Sequence, residues 1–312
     1  MQASSDSPAF RGVWATVLCR VDASGQVDLS AIDSQVAAYA AAKCDGVYTG
    51  GTASEFHSQS DADFQEMSER LASSARAHDL PFQISAAHPL APGSLARIAI
   101  AAKLKPDAIQ VTLPDWTAID LPTAHRFLER AADVAAGIPL VLYNPPHAKT
   151  VLSPDDLLSL ATAHPSLVGL KCGGGDADWY QAMAPVFERL SVFIPGHNYA
   201  SGTAQGAHGS YSNMACLSPR AAVAWKAMST EDAAALEARI GLFLTEAIAP
   251  LLARGLPGFA CDKAMAAAGV WTDISQRLLW PYGGATVEEV SRIRGAARRH
   301  IPEFIEEGPD GR

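Results

Sequence analysis

The stretch Leu167-Val168-Gly169-Leu170-Lys171-Cys172-Gly173-Gly174-Gly175 holds a short apolar run, a lysine where that run stops, and a glycine-rich exit. An apolar run without polar alternation reads as a strand covered on both faces, the pattern of a parallel strand between helices. Just upstream, Ser153-Pro154-Asp155 supplies an N-cap, a proline at the first helical position and an acidic first turn. The stretch is therefore the strand of a repeating strand–helix unit. Its lysine sits where little water solvates an ammonium, which pushes the pKa down and frees the amine as a nucleophile. A lysine that snorkels from a strand end fits the same local sequence, so both readings stand at this point.

The same unit recurs along the chain. Strand-like runs are read at Val13-Leu18, Gly46-Thr49, Phe82-Ser85, Ala108-Leu113, Pro139-Tyr143, Leu167-Lys171, Val192-Ile194 and Gly209-Asn213. Helical segments separate them, as in the alanine-rich Asp28 to Lys43. About eight such units close a (β/α)8 TIM barrel. A doubly wound open sheet would want fewer strands and an early G-x-G-x-x-G, whereas Gly50-Gly51 is not that fingerprint and no acidic residue follows at the required strand end. After Pro219 the β pattern stops, and Ala221-Met228, Ala233-Ala249 and Val287-His300 read as helices, interrupted at Gly255-Leu256-Pro257-Gly258. The expected organisation is a barrel over residues 1–225 and a small C-terminal helical appendage, 226–312, packed on it.

Composition narrows the class. The chain has 312 residues, 48% hydrophobic, with a net charge of -9. The acidic balance speaks against nucleic acid, whose phosphates call for a basic face. Apolar stretches such as Ala131 to Leu142 are broken well before the roughly 20 residues of a membrane helix. The start Met-Gln-Ala-Ser-Ser-Asp lacks the charged and apolar regions of a signal peptide. No nucleic acid or membrane partner is expected, and the expected location is cytoplasmic. Five scattered cysteines, Cys19, Cys44, Cys172, Cys216 and Cys261, form no C-x-x-C pair and read as reduced thiols.

Barrel active sites are built at the C-terminal ends of strands. The second run ends in Thr49-Gly50-Gly51-Thr52-Ala53-Ser54-Glu55, a loop able to aim N–H groups and a hydroxyl at an anion. The fifth ends in Tyr143-Asn144-Pro145-Pro146 and the sixth in Lys171. Each has a plainer reading as an interface aromatic, a tight turn or a strand-end cation, and Gly173-Gly174-Gly175 fits either close helix packing or a phosphate at a helix N-terminus. Their joint occurrence at three strand ends favours a site. His147 and His197, after the fifth and seventh runs, are candidates to line the mouth. The remaining histidines show no metal spacing, so no metal site is called.

These motifs, in order, resemble the dihydrodipicolinate synthase and N-acetylneuraminate lyase family of class I aldolases. The resemblance runs through nearly the whole chain. It rests on Gly51-Thr52-Ala53-Ser54-Glu55, Leu142-Tyr143-Asn144-Pro145-Pro146, Val168-Gly169-Leu170-Lys171, and Gly209-Ser210-Tyr211-Ser212 up to Pro219. It implies that Lys171 is a Schiff-base lysine, Tyr143 the general acid/base, and Thr52 with the Ala53 N–H the binders of a 2-oxo acid carboxylate. Gly51, Tyr211, His147 and Lys149 join as substrate-binding positions. The implied ligand is a small 2-oxo acid such as pyruvate, with no cofactor, and the implied assembly a homotetramer. An amine that condenses with a ketone, an iminium electron sink and a phenol that carries protons suit these roles chemically.

Departures from the family pattern redirect the substrate. Ala53 replaces a usual threonine and Ser54 a glycine; Pro114-Asp115-Trp116 stands where the family has Pro-Tyr-Tyr; and His147-Ala148-Lys149-Thr150 lacks the arginine that grips the synthase's second substrate. Lysine does not reproduce a bidentate guanidinium. The expectation is a class I lyase that cleaves, condenses or dehydrates a 2-oxo acid. The alternatives are a catalytically drifted binding barrel, a barrel that binds phosphorylated sugars without an imine, and dihydrodipicolinate synthase proper.

Overall fold

Eight strands pair in chain order and close on themselves in the computed structural model, which describes residues 10–305. They are β1 Gly12–Thr16, β2 Gly46–Thr49, β3 Phe82–Ser85, β4 Ala108–Thr112, β5 Leu140–Asn144, β6 Leu167–Cys172, β7 Ser191–Pro195 and β8 Gly209–Tyr211. All pairs are parallel, including β1 with β8. The expected (β/α)8 barrel is the architecture found. Met1 to Asp6, read above for a signal peptide, lie outside the described residues.

Helices connect the strands and cover the barrel: α1 Ser30–Ala41, α2 Asp61–Ala77, α3 Ala91–Lys103, α4 Leu121–Ala135, α5 Pro154–Ala163, α6 Ala177–Phe187, α7 Tyr199–Ala204, α8 Met214–Leu217 and α9 Pro219–Lys226. Four more follow: α10 Thr230–Phe243, α11 Ala249–Ala253, α12 Gly258–Gly269 and α13 Val287–His300. Their starts are written in the sequence. Ser153 is the expected N-cap of α5 and forms a reciprocal capping box with Asp156, Ser60 with Asp63 and Thr286 with Glu289 repeat it, and Asp176 caps α6 through the Trp179 N–H at 2.9 Å.

Strand limits differ from the reading by two residues at two ends, each for a visible reason, and by one residue at most elsewhere. The first strand ends at Thr16, because Leu18 leaves the ladder and both its backbone groups are taken by the Gln35 side chain at 2.8 and 3.0 Å. The last ends at Tyr211, since Ser212 turns to cap the Ala215 N–H and Asn213 accepts from the His197 N–H. The helix α12 begins at the Gly-Leu-Pro-Gly break and was not anticipated.

The core has two compartments. The larger lies between barrel and helices; the smaller fills the barrel itself with Trp14, Tyr48, Ala108, Val141, Phe193 and Tyr211. Large rings inside a narrow barrel demand small residues beside them. A Cβ on Gly46 would come within 2.5 Å of the Trp14 ring, so only glycine fits there. Between α10 and α11 the helix widens to a π-turn, Leu244–Ile248, in which the Ala249 N–H reaches the Leu244 carbonyl. Pro250 follows and lacks the N–H that an ordinary turn would use. α12 packs on α8 and on the short turn Thr52–Ser54 after β2.

Candidate active site

Parallel register decides which side chains meet. Tyr143 and Lys171 are direct partners in the β5–β6 ladder, so their side chains leave the sheet on the same side. The Lys171 ammonium lies among three phenol rings, 4.3 Å from the centroid of Tyr143, 4.9 Å from Tyr48 and 5.3 Å from Tyr211. Its Nζ donates to the Tyr48 hydroxyl at 3.3 Å. The ring faces favour the charged amine, but burial disfavours it more strongly, and the pKa falls from 10.5 to about 8.

The tyrosines divide by function. Tyr143 shares a hydrogen bond with Thr52, yet burial still pushes its phenol up to about 12, which keeps it a proton donor at neutral pH. Tyr211 donates its hydroxyl to Gln83 Oε1 at 2.7 Å, and Gln110 donates to the same oxygen at 2.9 Å. That hydroxyl is committed to the barrel interior. Tyr48 was read only as part of a strand; a mid-strand tyrosine carries no sequence mark of an amine contact.

The loop after β2 is built for rigidity. Gly50 has φ +74, where a Cβ would meet the Ser85 carbonyl oxygen at 2.3 Å, so glycine is required. Gly51 opens the turn that carries Thr52 and Ala53. Ser54, at the family's glycine position, is buried and donates to the Val17 carbonyl at 2.6 Å. Its hydroxyl also lies 3.3 Å from that of Thr16, so it supports the exit of β1. Glu55 is held in the left-handed region at φ 60 by two buried contacts, the Lys263 ammonium at 2.5 Å and the Leu279 N–H at 2.7 Å. The loop is thereby fixed to the C-terminal helices.

Other expected positions fall at different depths. His147 and Lys149 are exposed. Lys149 donates its ammonium to the Trp116 carbonyl at 2.5 Å, sits 5.3 Å over that indole, and offers its N–H to Asp115 at 2.7 Å. Trp116 is itself 73% exposed. His197 is partly buried, shares a hydrogen bond with Asn213 at 3.2 Å, and its pKa is lowered by burial. Cys172, beside the lysine, is buried with its thiol pushed up to about 12, which makes it unreactive. The phosphate reading of Gly173-Gly174-Gly175 loses ground, because the acidic side chain of Asp176 already caps α6.

Sequence reasoning missed Asp262 altogether. It stands on α12, and its charge is felt by Lys171, Tyr143, Tyr48 and Cys216. Burial raises its carboxyl to about 7 against the pull of Lys171. Asp262 also lines a cavity of about 350 Å³ with His197, Asn213, Leu244, Ile248 and Met265. No group of three or more potential metal ligands occurs among the described residues. No helix among them is long and apolar enough to cross a membrane.

Comparison with known proteins bears on the fold and the family. No curated protein sequence matches the chain. The solved structures it is similar to include YagE, a prophage protein from E. coli K12 in complex with pyruvate, at 17% identity over 93% of this chain and 98% of that one, TM-score 0.82. A dihydrodipicolinate synthase from Bacteroides thetaiotaomicron matches at 19% identity over 94% and 99%, TM-score 0.80. A catalytic lysine mutant of the Ruminococcus gnavus sialic acid aldolase matches at 17% identity over 94% and 96%, TM-score 0.80. At such identities the likeness is one of fold. The family model described as the dihydrodipicolinate synthetase family, however, matches residues 9–273, the whole barrel and α12 with it, and the chain belongs to that family.

Proposed function

We propose that the protein is a class I lyase that forms an imine between Lys171 and a pyruvate-type 2-oxo acid. The observation that carries this is the amine itself: a partly buried lysine 4.3 Å from the Tyr143 ring, its pKa lowered to about 8 by desolvation, beside a phenol that stays protonated. Ketone condensation needs a free amine as nucleophile and an acid to remove water from the carbinolamine, and the two stand on adjacent strands in direct register. Thr52 and the Ala53 N–H are the proposed carboxylate binders, with Gly51 setting the turn. Pyruvate bound to YagE, and a catalytic lysine in the sialic acid aldolase, support the reading by analogy of fold.

The second substrate is proposed to be an aldehyde without a distal carboxylate. The His147-Lys149 segment lacks a guanidinium fork, and its lysine is engaged with Trp116. Residues 1–225 would then carry the imine chemistry, and 226–312 would shape the far end of the site. A homotetramer is proposed as the assembly, with the exposed Trp116 as an anchor, and a cytoplasmic location fits five buried, unpaired cysteines. The test compares kcat/KM for pyruvate with aspartate semialdehyde, with neutral aldehydes and, in the cleavage direction, for 2-oxo-3-deoxy sugar acids. Preference for the neutral or hydroxylated partners is expected. A preference for aspartate semialdehyde would make the protein a dihydrodipicolinate synthase proper, and no turnover of any 2-oxo acid would leave the drifted binding barrel.

A further inference from the structure

Resting on that reading of Lys171, we infer that Tyr48 is a second catalytic phenol that works only as an acceptor. It holds an N–H of the amine and then of the protonated imine, while Thr16 and Ser54 are positioning residues that keep its own proton turned away from the nitrogen. The geometry starts from register. Thr16 and Tyr48 are direct partners in the β1–β2 ladder, as Tyr143 and Lys171 are in the β5–β6 ladder, and the Tyr48 hydroxyl meets Lys171 Nζ at 3.3 Å. Direct partners leave the sheet on the same side, so the Thr16 hydroxyl stands beside the Tyr48 phenol and shares a hydrogen bond with it. Thr16 Oγ1 lies in turn 3.3 Å from Ser54 Oγ, and Ser54 donates to the Val17 carbonyl at 2.6 Å. Tyr48, Thr16 and Ser54 are all buried, so their hydroxyls depend on one another for partners.

Counting protons gives this chain a direction. A carbonyl only accepts, and each hydroxyl has one proton to give. Ser54 commits its proton to Val17, so its oxygen accepts from Thr16. Thr16 is thereby left to accept from Tyr48, and Tyr48 to accept from Lys171. Burial holds the Tyr48 phenol well above its usual value, so its proton stays in place near neutral pH.

That direction decides what the nitrogen has free. A neutral amine carries one lone pair, and a phenol that donated to it would block attack on the ketone. A phenol that only accepts takes an N–H instead and leaves the lone pair for the carbonyl carbon. Once water has left the carbinolamine, the iminium keeps a single N–H, and its positive charge strengthens the bond to the Tyr48 oxygen. Tyr143 gives a proton at the carbinolamine; Tyr48 transfers none. The division also gives a use to the residue at 54. Glycine, the family's usual residue there, has no hydroxyl to end the chain, and Thr16 would then be free to donate to Tyr48 and reverse it.

Pyruvate titration across pH, read as the fraction and rate of borohydride trapping on Lys171, tests the role. Tyr48→Phe keeps the ring and removes the oxygen. The pyruvate concentration for half-maximal imine should rise about 10-fold or more, and the pH midpoint of imine formation should fall below the parent's, because the lost acceptor favours the charged amine. Thr16→Val leaves the Tyr48 oxygen but frees its proton for the lone pair, so imine formation should slow by about 10-fold and its midpoint should also fall. Thr16→Ser, which keeps the hydroxyl, should restore both. The parent's half-saturation and midpoint in Tyr48→Phe, or the parent's rate and midpoint in Thr16→Val, would overturn the role of Tyr48 alone; were Tyr48→Phe unfolded, the two Thr16 variants would decide. A parent that traps no pyruvate would overturn the Lys171 reading together with this one.

Discussion

Lys263 is fully buried and Lys171 partly buried, and the two differ in what faces them. Lys263 meets the Glu55 carboxylate at 2.5 Å, both side chains at 0% exposure, and Glu55 also accepts the Leu279 N–H. Lys171 meets aromatic faces and a phenol hydroxyl, and forms no ion pair among the described residues. A carboxylate set against a buried ammonium ties two segments together, whereas an amine set among rings in a desolvated place is the more easily neutralised. The first fixes the loop after β2 to α12. The second is the lysine proposed to react.

The contrast is sharpest when each lysine is removed. Lys171→Ala should abolish turnover and imine formation while leaving thermal unfolding close to the parent's, which steady-state assays and calorimetry check together. Lys263→Met should do the reverse in kind. It strands Glu55 in the interior and should cost about 3–5 kcal/mol of stability by urea denaturation, of which Glu55→Gln in the same chain restores a good part. If Lys263→Met left stability unchanged, the pair would not be the anchor described.

Tyr143→Phe addresses the reactive side alone. It should retain imine formation in part and lower kcat by about 10²-fold, roughly 2.7 kcal/mol of barrier. An unchanged kcat would move the acid–base role elsewhere in the mouth. The smallest effect is in pH. The reactive form of Lys171 is the free amine, so the rate of imine formation should climb with pH and level off above about 8, whereas a lysine with its ordinary value of 10.5 would still be climbing there. Stopped-flow mixing with pyruvate distinguishes the two profiles.

How much of this was legible in the chain follows the same divide. Lys171 and Tyr143 end uninterrupted apolar runs, and strand ends in a barrel converge, so local patterns located them. The Glu55–Lys263 pair joins residues 208 apart, and neither carries a local mark. Asp262 was hidden in the same way: in Cys261-Asp262-Lys263 an acid beside a lysine resembles an ordinary helix surface, and its place in the wall of a cavity with His197 and Asn213 follows only from the packing of α12. Ser54 stood out only as a departure from the family's glycine; its bond to the Val17 carbonyl shows a support for the exit of β1. Tyr48, mid-strand, was indistinguishable from core.

The central claim is that the unpaired lysine is the reactive one, and reductive trapping tests it most directly. The protein is incubated with pyruvate and related 2-oxo acids, reduced with borohydride, weighed intact and mapped by peptide. A single adduct on Lys171 is the predicted result. Trapping that maps to Lys263 or Lys149, or no adduct with any 2-oxo acid, would contradict the account.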